Sequence, residues 1–249
     1  MCRHIAYVGE PIRLADLVLT PAHSLLRQSW APRDMRGGGT VNADGFGIGW
    51  YTGTSPEPAL VRRAVPLWTD TALPRLAAEI TSGAVLAAVR SATVGMPVVE
   101  TAAAPFAWDR WLFSHNGVVR GWPSSVTRLA STLPVEALLT MDAPTDAALL
   151  WALLRHRIAA GDKPADVVAA LVTEVEAAAP GSRLNLLLTD GTVIIGTSWT
   201  HSLWVADLGH AVAVASEPYD DHPAWREVPD RHLVVANWST VDITQIGAP

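Results

Sequence analysis

The chain has 249 residues, 18 Lys and Arg against 24 Asp and Glu, a formal net charge of −6 and 49% hydrophobic residues. Its 17% of charged residues lies below the roughly 25% of an average globular protein, which excludes a long disordered chain and requires a large core. The basic residues are scattered, with Lys163 the sole lysine, and no apolar run reaches the length of a membrane span, so neither a nucleic-acid nor a membrane partner is expected.

In chain order, short or alternating β-rich runs fall at residues 3–8, 47–51 and 60–65, and helical periodicity follows at 73–81. Strand patterning returns at 85–92 and 110–114, and helices are predicted at 125–132, 146–160 and 166–178. The clearest helix has Leu149, Leu150, Leu153, Leu154 and Ile158 at three-to-four spacing behind Thr145, a good N-cap. Further strands at 184–189, 192–198, 203–206, 211–215 and 233–236 bring the number to about ten. Asp44-Gly45 and Asp190-Gly191 supply turn chemistry that suits antiparallel pairing. Strands in blocks with helices grouped between them predict an α+β fold in which helices cover antiparallel sheets. No internal repeat or long linker divides the chain, so one domain over residues 2–249 is expected.

The single cysteine cannot form an internal disulfide, and a polar break at Gly9-Glu10-Pro11 interrupts any secretory apolar stretch, so a cytoplasmic location is expected. If the initiator methionine is removed, Cys2 carries a thiol and a free α-amine on one residue. That amine titrates near about 7.7–8.0 and can take the thiol proton. This is the N-terminal nucleophile arrangement, although position alone also fits a small apolar thiol at a frayed terminus. In Ser114-His115-Asn116-Gly117, an Asn amide and a closely approaching Gly N–H are what an oxyanion hole needs, while Asn-Gly is also a common hairpin turn. Arg90 ends an otherwise apolar strand, so its charge needs a carboxylate, from the protein or from a ligand. Asp146 in the first turn of its helix suits the helix dipole or a substrate ammonium.

Residues 42–50 are rich in glycine, but the spacing is GxGxG and no helix follows, so they fail as a dinucleotide fingerprint. No GxxxxGK[ST], GxSxG or HExxH pattern occurs, and the histidines lack metal-ligand spacing, so no metal and no cofactor is expected. His4, His23, His115 and His201 read as satisfied polar residues or surface.

Taken together, Met1-Cys2-Arg3-His4, NADGFGIGWY at 42–51, RSAT at 90–93, SHNG at 114–117 and TDAALL at 145–150 resemble the class II glutamine amidotransferases. Ala215-Ser216-Glu217-Pro218 extends the resemblance over nearly the whole chain. It implies the N-terminal nucleophile fold, a four-layer αββα sandwich of two antiparallel sheets. It also implies Cys2 as nucleophile, Asn116 and Gly117 as oxyanion donors, Arg90 on the substrate α-carboxylate and Asp146 on its α-ammonium. Ser91 and Thr93 would be pocket wall, and the partner would be a small-molecule γ-glutamyl substrate; homo-oligomerisation stays open. In two respects the sequence departs from a plain glutaminase. Val94 follows Thr93 where glutamine-using members typically have His, and a stand-alone module without an acceptor domain is expected. The pattern, with CRHIAYVG and RSATVGMP, is therefore similar to the stand-alone γ-glutamyl amidohydrolase branch that serves ergothioneine biosynthesis. A glutaminase subunit feeding ammonia to a separate synthase is the alternative. A leaving half with a quaternary ammonium would call for aromatic faces, and Trp30, Trp50, Trp108, Trp111 and Trp122 are available.

Overall fold

The computed structural model describes residues 2–34, 36 and 41–247. Its strands are β1 (Arg3–Arg13), β2 (Phe46–Trp50), β3 (Ala59–Arg63), β4 (Thr81–Val89), β5 (Phe106–Trp108), β6 (Trp111–Val118), β7 (Arg183–Thr189), β8 (Val193–Ser198), β9 (Trp204–Asp207), β10 (Ala211–Ala215), β11 (Trp225–Glu227), β12 (His232–Asn237) and β13 (Thr240–Gln245). They form two antiparallel sheets, ordered β11-β9-β10-β1-β4-β2-β3 and β13-β12-β8-β7-β6-β5. The helices are α1 (Leu14–Val18), α2 (Leu25–Gln28), α3 (Leu73–Glu79), α4 (Thr127–Ala130), α5 (Val135–Leu139), α6 (Asp146–Ala159) and α7 (Pro164–Ala178).

Strand alternation fixes the layers, because successive side chains point to opposite faces. On β1, Ile5 and Tyr7 join Val85, Ala87 and the α1–α3 residues Leu14, Leu17 and Leu73 in one core. Ala6 and Val8 point the other way and pack with Leu86, Leu112, Leu187 and Val214 between the sheets. Phe113, Leu186 and Leu188 face outward again, onto Leu150, Leu153, Val168 and Leu171 of α6 and α7. The order of layers is helix, sheet, sheet, helix, as the family resemblance implies.

Several boundaries differ from the sequence reading. Strand β6 continues through Asn116 and Gly117, which pair with Asn185 and Leu184, so this Asn-Gly is not a hairpin turn. Gly117 is required there, since a Cβ would stand 1.8 Å from the Arg183 carbonyl oxygen. Strand β4 stops at Val89, leaving Arg90 to Ala92 outside the ladder. Residues 125–132 hold a 3₁₀ turn followed by the short α4. Among the described residues, no helix is long and apolar enough to cross a membrane.

Candidate functional site

The start of β1, the ends of β4 and β6 and the first turn of α6 meet at one end of the sandwich. They enclose a slot lined by Cys2, Arg90, Ser91, Thr93, Gly117 and Asp146, among others. Antiparallel pairing of Arg3 with Val89 brings the Cys2 and Arg90 segments together from 88 positions apart in sequence. The Cys2 thiol lies 3.9 Å from the Ser91 carbonyl oxygen.

Arg90 is only 8% exposed. Its Nη1 donates to the carbonyls of Pro97 at 2.9 Å and Asp44 at 3.5 Å. No carboxylate among the described residues forms an ion pair with it. Of the two partners its burial could imply, the structural carboxylate is therefore not the one present. Its backbone is held by the glycine-rich loop before β2. Arg90 N–H donates to the Gly45 carbonyl at 2.8 Å, Asp44 N–H donates to the Arg90 carbonyl at 2.9 Å, and Asp44 Oδ2 accepts from Ala92 N–H at 2.8 Å. Gly45 makes this crossing with φ of +131°, a conformation that favours glycine.

Asp146 opens α6, behind Thr145, whose side chain caps the helix by accepting from Ala148 N–H at 3.2 Å. The Asp146 carboxylate accepts from Ala147 N–H at 2.8 Å and from Val119 N–H at 2.9 Å. Those bonds tie α6 to the exit of β6, and a carboxylate has lone pairs left for a cation in the slot.

Asn116 is completely buried in the layer between the sheets, at the inner edge of the slot that its β6 neighbours Ser114, His115 and Gly117 line. Its Nδ2 donates to Ser216 Oγ at 3.2 Å. The same Oγ accepts from His4 N–H at 3.0 Å, and Ser216 N–H donates to the His4 carbonyl at 2.9 Å. His4 Nδ1 is 3.1 Å from Ser114 Oγ. Burial, with His115, Arg3 and His201 nearby, pushes the His4 pKa well below its ordinary value, so the ring is neutral. On the outer face, the buried Glu217 carboxylate accepts from the N–H groups of Arg33 and Asp34; burial lowers the pKa of Arg3, and the Glu217 charge opposes that shift.

The histidine expectation needs one correction. His4 and His115 have ring partners, the latter with Nε2 2.9 Å from the Arg183 carbonyl. His201 is buried with both ring nitrogens unpartnered among the described residues. Burial, reinforced by Arg183 and Arg3, lowers its pKa to about 3. Of the five tryptophans, none lines the slot. Trp122 lines an adjoining cleft that shares Thr93 and Met96 with it, and Trp30 packs edge-on against Trp68. Val94 is fully exposed. Sequence reasoning missed the supporting roles of Asp44, Val119 and Ser216. Asp44 and Ser216 stand in motifs that carry the resemblance, whereas the Val119 contribution is backbone and leaves no signal in residue type. Met1, on whose removal the expected role of Cys2 depends, lies outside the described residues.

A thiol at a strand start, a buried guanidinium with no carboxylate partner among the described residues and a helix-start carboxylate thus meet at one end of an αββα sandwich. The chain belongs to the family described as glutamine amidotransferases class-II, whose model matches residues 22–207. It is 39% identical over 249 residues to the gamma-glutamyl-hercynylcysteine sulfoxide hydrolase of Mycolicibacterium smegmatis, covering 99% of this chain and 100% of that one. A Mycobacterium tuberculosis protein of the same name is 39% identical over 247 residues, covering 99% and 97%. Among solved structures, a glutamine aminotransferase class-II domain protein from Silicibacter pomeroyi superposes with a TM-score of 0.71 at 24% identity, both chains being covered in full. Glutamine phosphoribosylpyrophosphate amidotransferase from B. subtilis gives 0.68 at 14% identity, over all of this chain and 50% of that one. These two likenesses establish the fold as that of the amidotransferases.

Proposed function

We propose that the protein hydrolyses the γ-glutamyl amide of γ-glutamyl-hercynylcysteine sulfoxide, releasing glutamate and hercynylcysteine sulfoxide, in ergothioneine biosynthesis. The observation that carries this reading is a slot holding a thiol, a guanidinium without a carboxylate partner among the described residues and a carboxylate, in a chain that matches relatives named for that hydrolysis from end to end. The activity resides in one domain over residues 2–249, acts in the cytoplasm and needs no cofactor.

Each assignment follows from charge and position. Arg90, with no carboxylate partner among the described residues, grips the α-carboxylate of the glutamyl group. Asp146 takes the α-ammonium, and Ser91 and Thr93 wall the site. These contacts bring the γ-carbonyl to the Cys2 thiolate, which adds to carbon while the oxyanion is received by Gly117 N–H and the Asn116 amide. The α-amine of Cys2, freed by loss of Met1, accepts the thiol proton and passes it to the departing nitrogen. Water then adds to the thioester, with the same amine as base, and glutamate leaves as the thiol is restored.

Glutamate release is the test, with the sulfoxide substrate and glutamine compared side by side and Cys2→Ala as blank. Strong preference for the sulfoxide and no release by the blank are expected. Preference for glutamine would instead identify a glutaminase subunit, and activity in protein whose intact mass retains Met1 would refute the mechanism.

A further inference from the structure

We propose that Ser216 is a positioning residue of this reaction, holding the Asn116 amide where the oxyanion forms beside Cys2. The inference rests on the γ-glutamyl hydrolase reading above. Ser216 follows β10 directly and is completely buried between the sheets. It joins three parts of the chain that the mechanism needs in register. Its hydroxyl oxygen meets Asn116 Nδ2 and His4 N–H, its own N–H meets the His4 carbonyl, and its carbonyl accepts from Ser202 Oγ at 2.8 Å. With the main chain held on both sides, the hydroxyl is a fixed point.

The other end of the Asn116 amide has no such hold. Its Oδ1 is buried without a hydrogen-bond partner among the described residues. The Ser216 bond is thus what sets the rotation of the amide plane. Nδ2 carries two hydrogens; Ser216 takes one and leaves the second for the developing oxyanion. Strand register does not depend on the hydroxyl, because β1 and β10 are already paired from Ile5 with Ala215 to Gly9 with Ala211. Removing the hydroxyl therefore releases the amide, and a donor displaced by about 1 Å costs up to roughly 10²-fold in rate.

The test uses γ-glutamyl-p-nitroanilide, so that its readout is independent of the natural leaving half. In Ser216→Ala, kcat is expected to fall roughly 10–100-fold with KM within about twofold, because the group acts on the transition state and not on ground-state binding. Alkylation of Cys2 by iodoacetamide, which needs no oxyanion hole, stays at the wild-type rate. Ser216→Thr, which keeps the hydroxyl, retains most of the turnover. Added to Asn116→Ala, Ser216→Ala causes no further loss. An unchanged kcat in Ser216→Ala, a full additional loss in the double variant, or slowed alkylation would each overturn the proposal. A protein that cleaves the anilide and ignores the sulfoxide would refute the substrate assignment and still decide the role of Ser216.

Discussion

The layer between the two sheets is built by the same strand faces from one end to the other, yet its halves differ in kind. In one half Ala6, Val8, Leu86, Leu112, Leu187 and Val214 pack as an apolar seam. In the other, the next positions on those faces are His4, Ser114, Asn116 and Ser216, joined by hydrogen bonds of 3.0–3.2 Å. Both halves are equally buried. The apolar half gains from removal of surface from water, whereas buried polar groups must find partners to avoid a penalty. A sandwich can thus be held together at one end and keep fixed, directional groups at the other without changing its strand pairing.

That contrast predicts that variants in the two halves separate stability from turnover. Leu112→Ala, in the apolar half, is expected to lower unfolding free energy by about 2–5 kcal/mol in a urea titration, with kcat per folded molecule retained. Asn116→Ala, in the polar half, should lower kcat by roughly 10²–10³, about 2.7–4 kcal/mol of transition-state stabilisation, with KM little changed. Steady-state kinetics giving comparable kcat for both variants would erase the distinction. Arg90→Ala, at the slot beyond the polar half, should raise KM by roughly 10–100-fold, the worth of charge-assisted hydrogen bonds of about 1.5–3 kcal/mol, and added α-amidated substrate should no longer be discriminated against.

A further effect is the pH dependence of stability. The unfolded chain protonates His201 near the ordinary value of about 6.5, whereas the folded chain resists until about 3. Between those values the unfolded state holds more protons, so stability present above about 6.5 is lost as pH falls, by about 1.4 kcal/mol per pH unit for one histidine. His201→Gln should remove that contribution from the slope of unfolding free energy against pH measured between 6 and 4, and an unchanged slope would show that His201 titrates normally in the fold.

The parts of this fold legible in the sequence are those where one physical signal dominates. The α6 periodicity and the apolar runs of β7, β8 and β10 are of this sort, because both their faces or one broad stripe are covered. Strand β13 was illegible, since its residues alternate between half-buried and exposed and carry Thr, Asp and Gln at a sheet edge. Helix α1 spans only five residues, too few for a 3.6-residue period to declare itself. The end of β4 was read too long, because Arg90 to Ala92 continue a β-like string and only the hydrogen bonds from Asp44 and Gly45, far away in sequence, take them off the ladder. At the site, Cys2, Arg90 and Asp146 are legible as candidates because each stands in a motif of the family resemblance, while its residue type alone leaves a structural reading open. The role of Ser216 is not legible, since its partners His4 and Asn116 lie 212 and 100 positions away.

The strand that begins beside Cys2 has a neighbour on either side, β10 and β4, along Ile5 to Val8. Interior strands of this kind exchange their amide hydrogens at the rate of global opening, unlike frayed termini. The strand that follows Cys2 is therefore expected to open only with the sandwich. Heat or denaturant is then expected to displace the Cys2 thiol from Arg90 and Asp146 mainly as the sandwich itself comes apart.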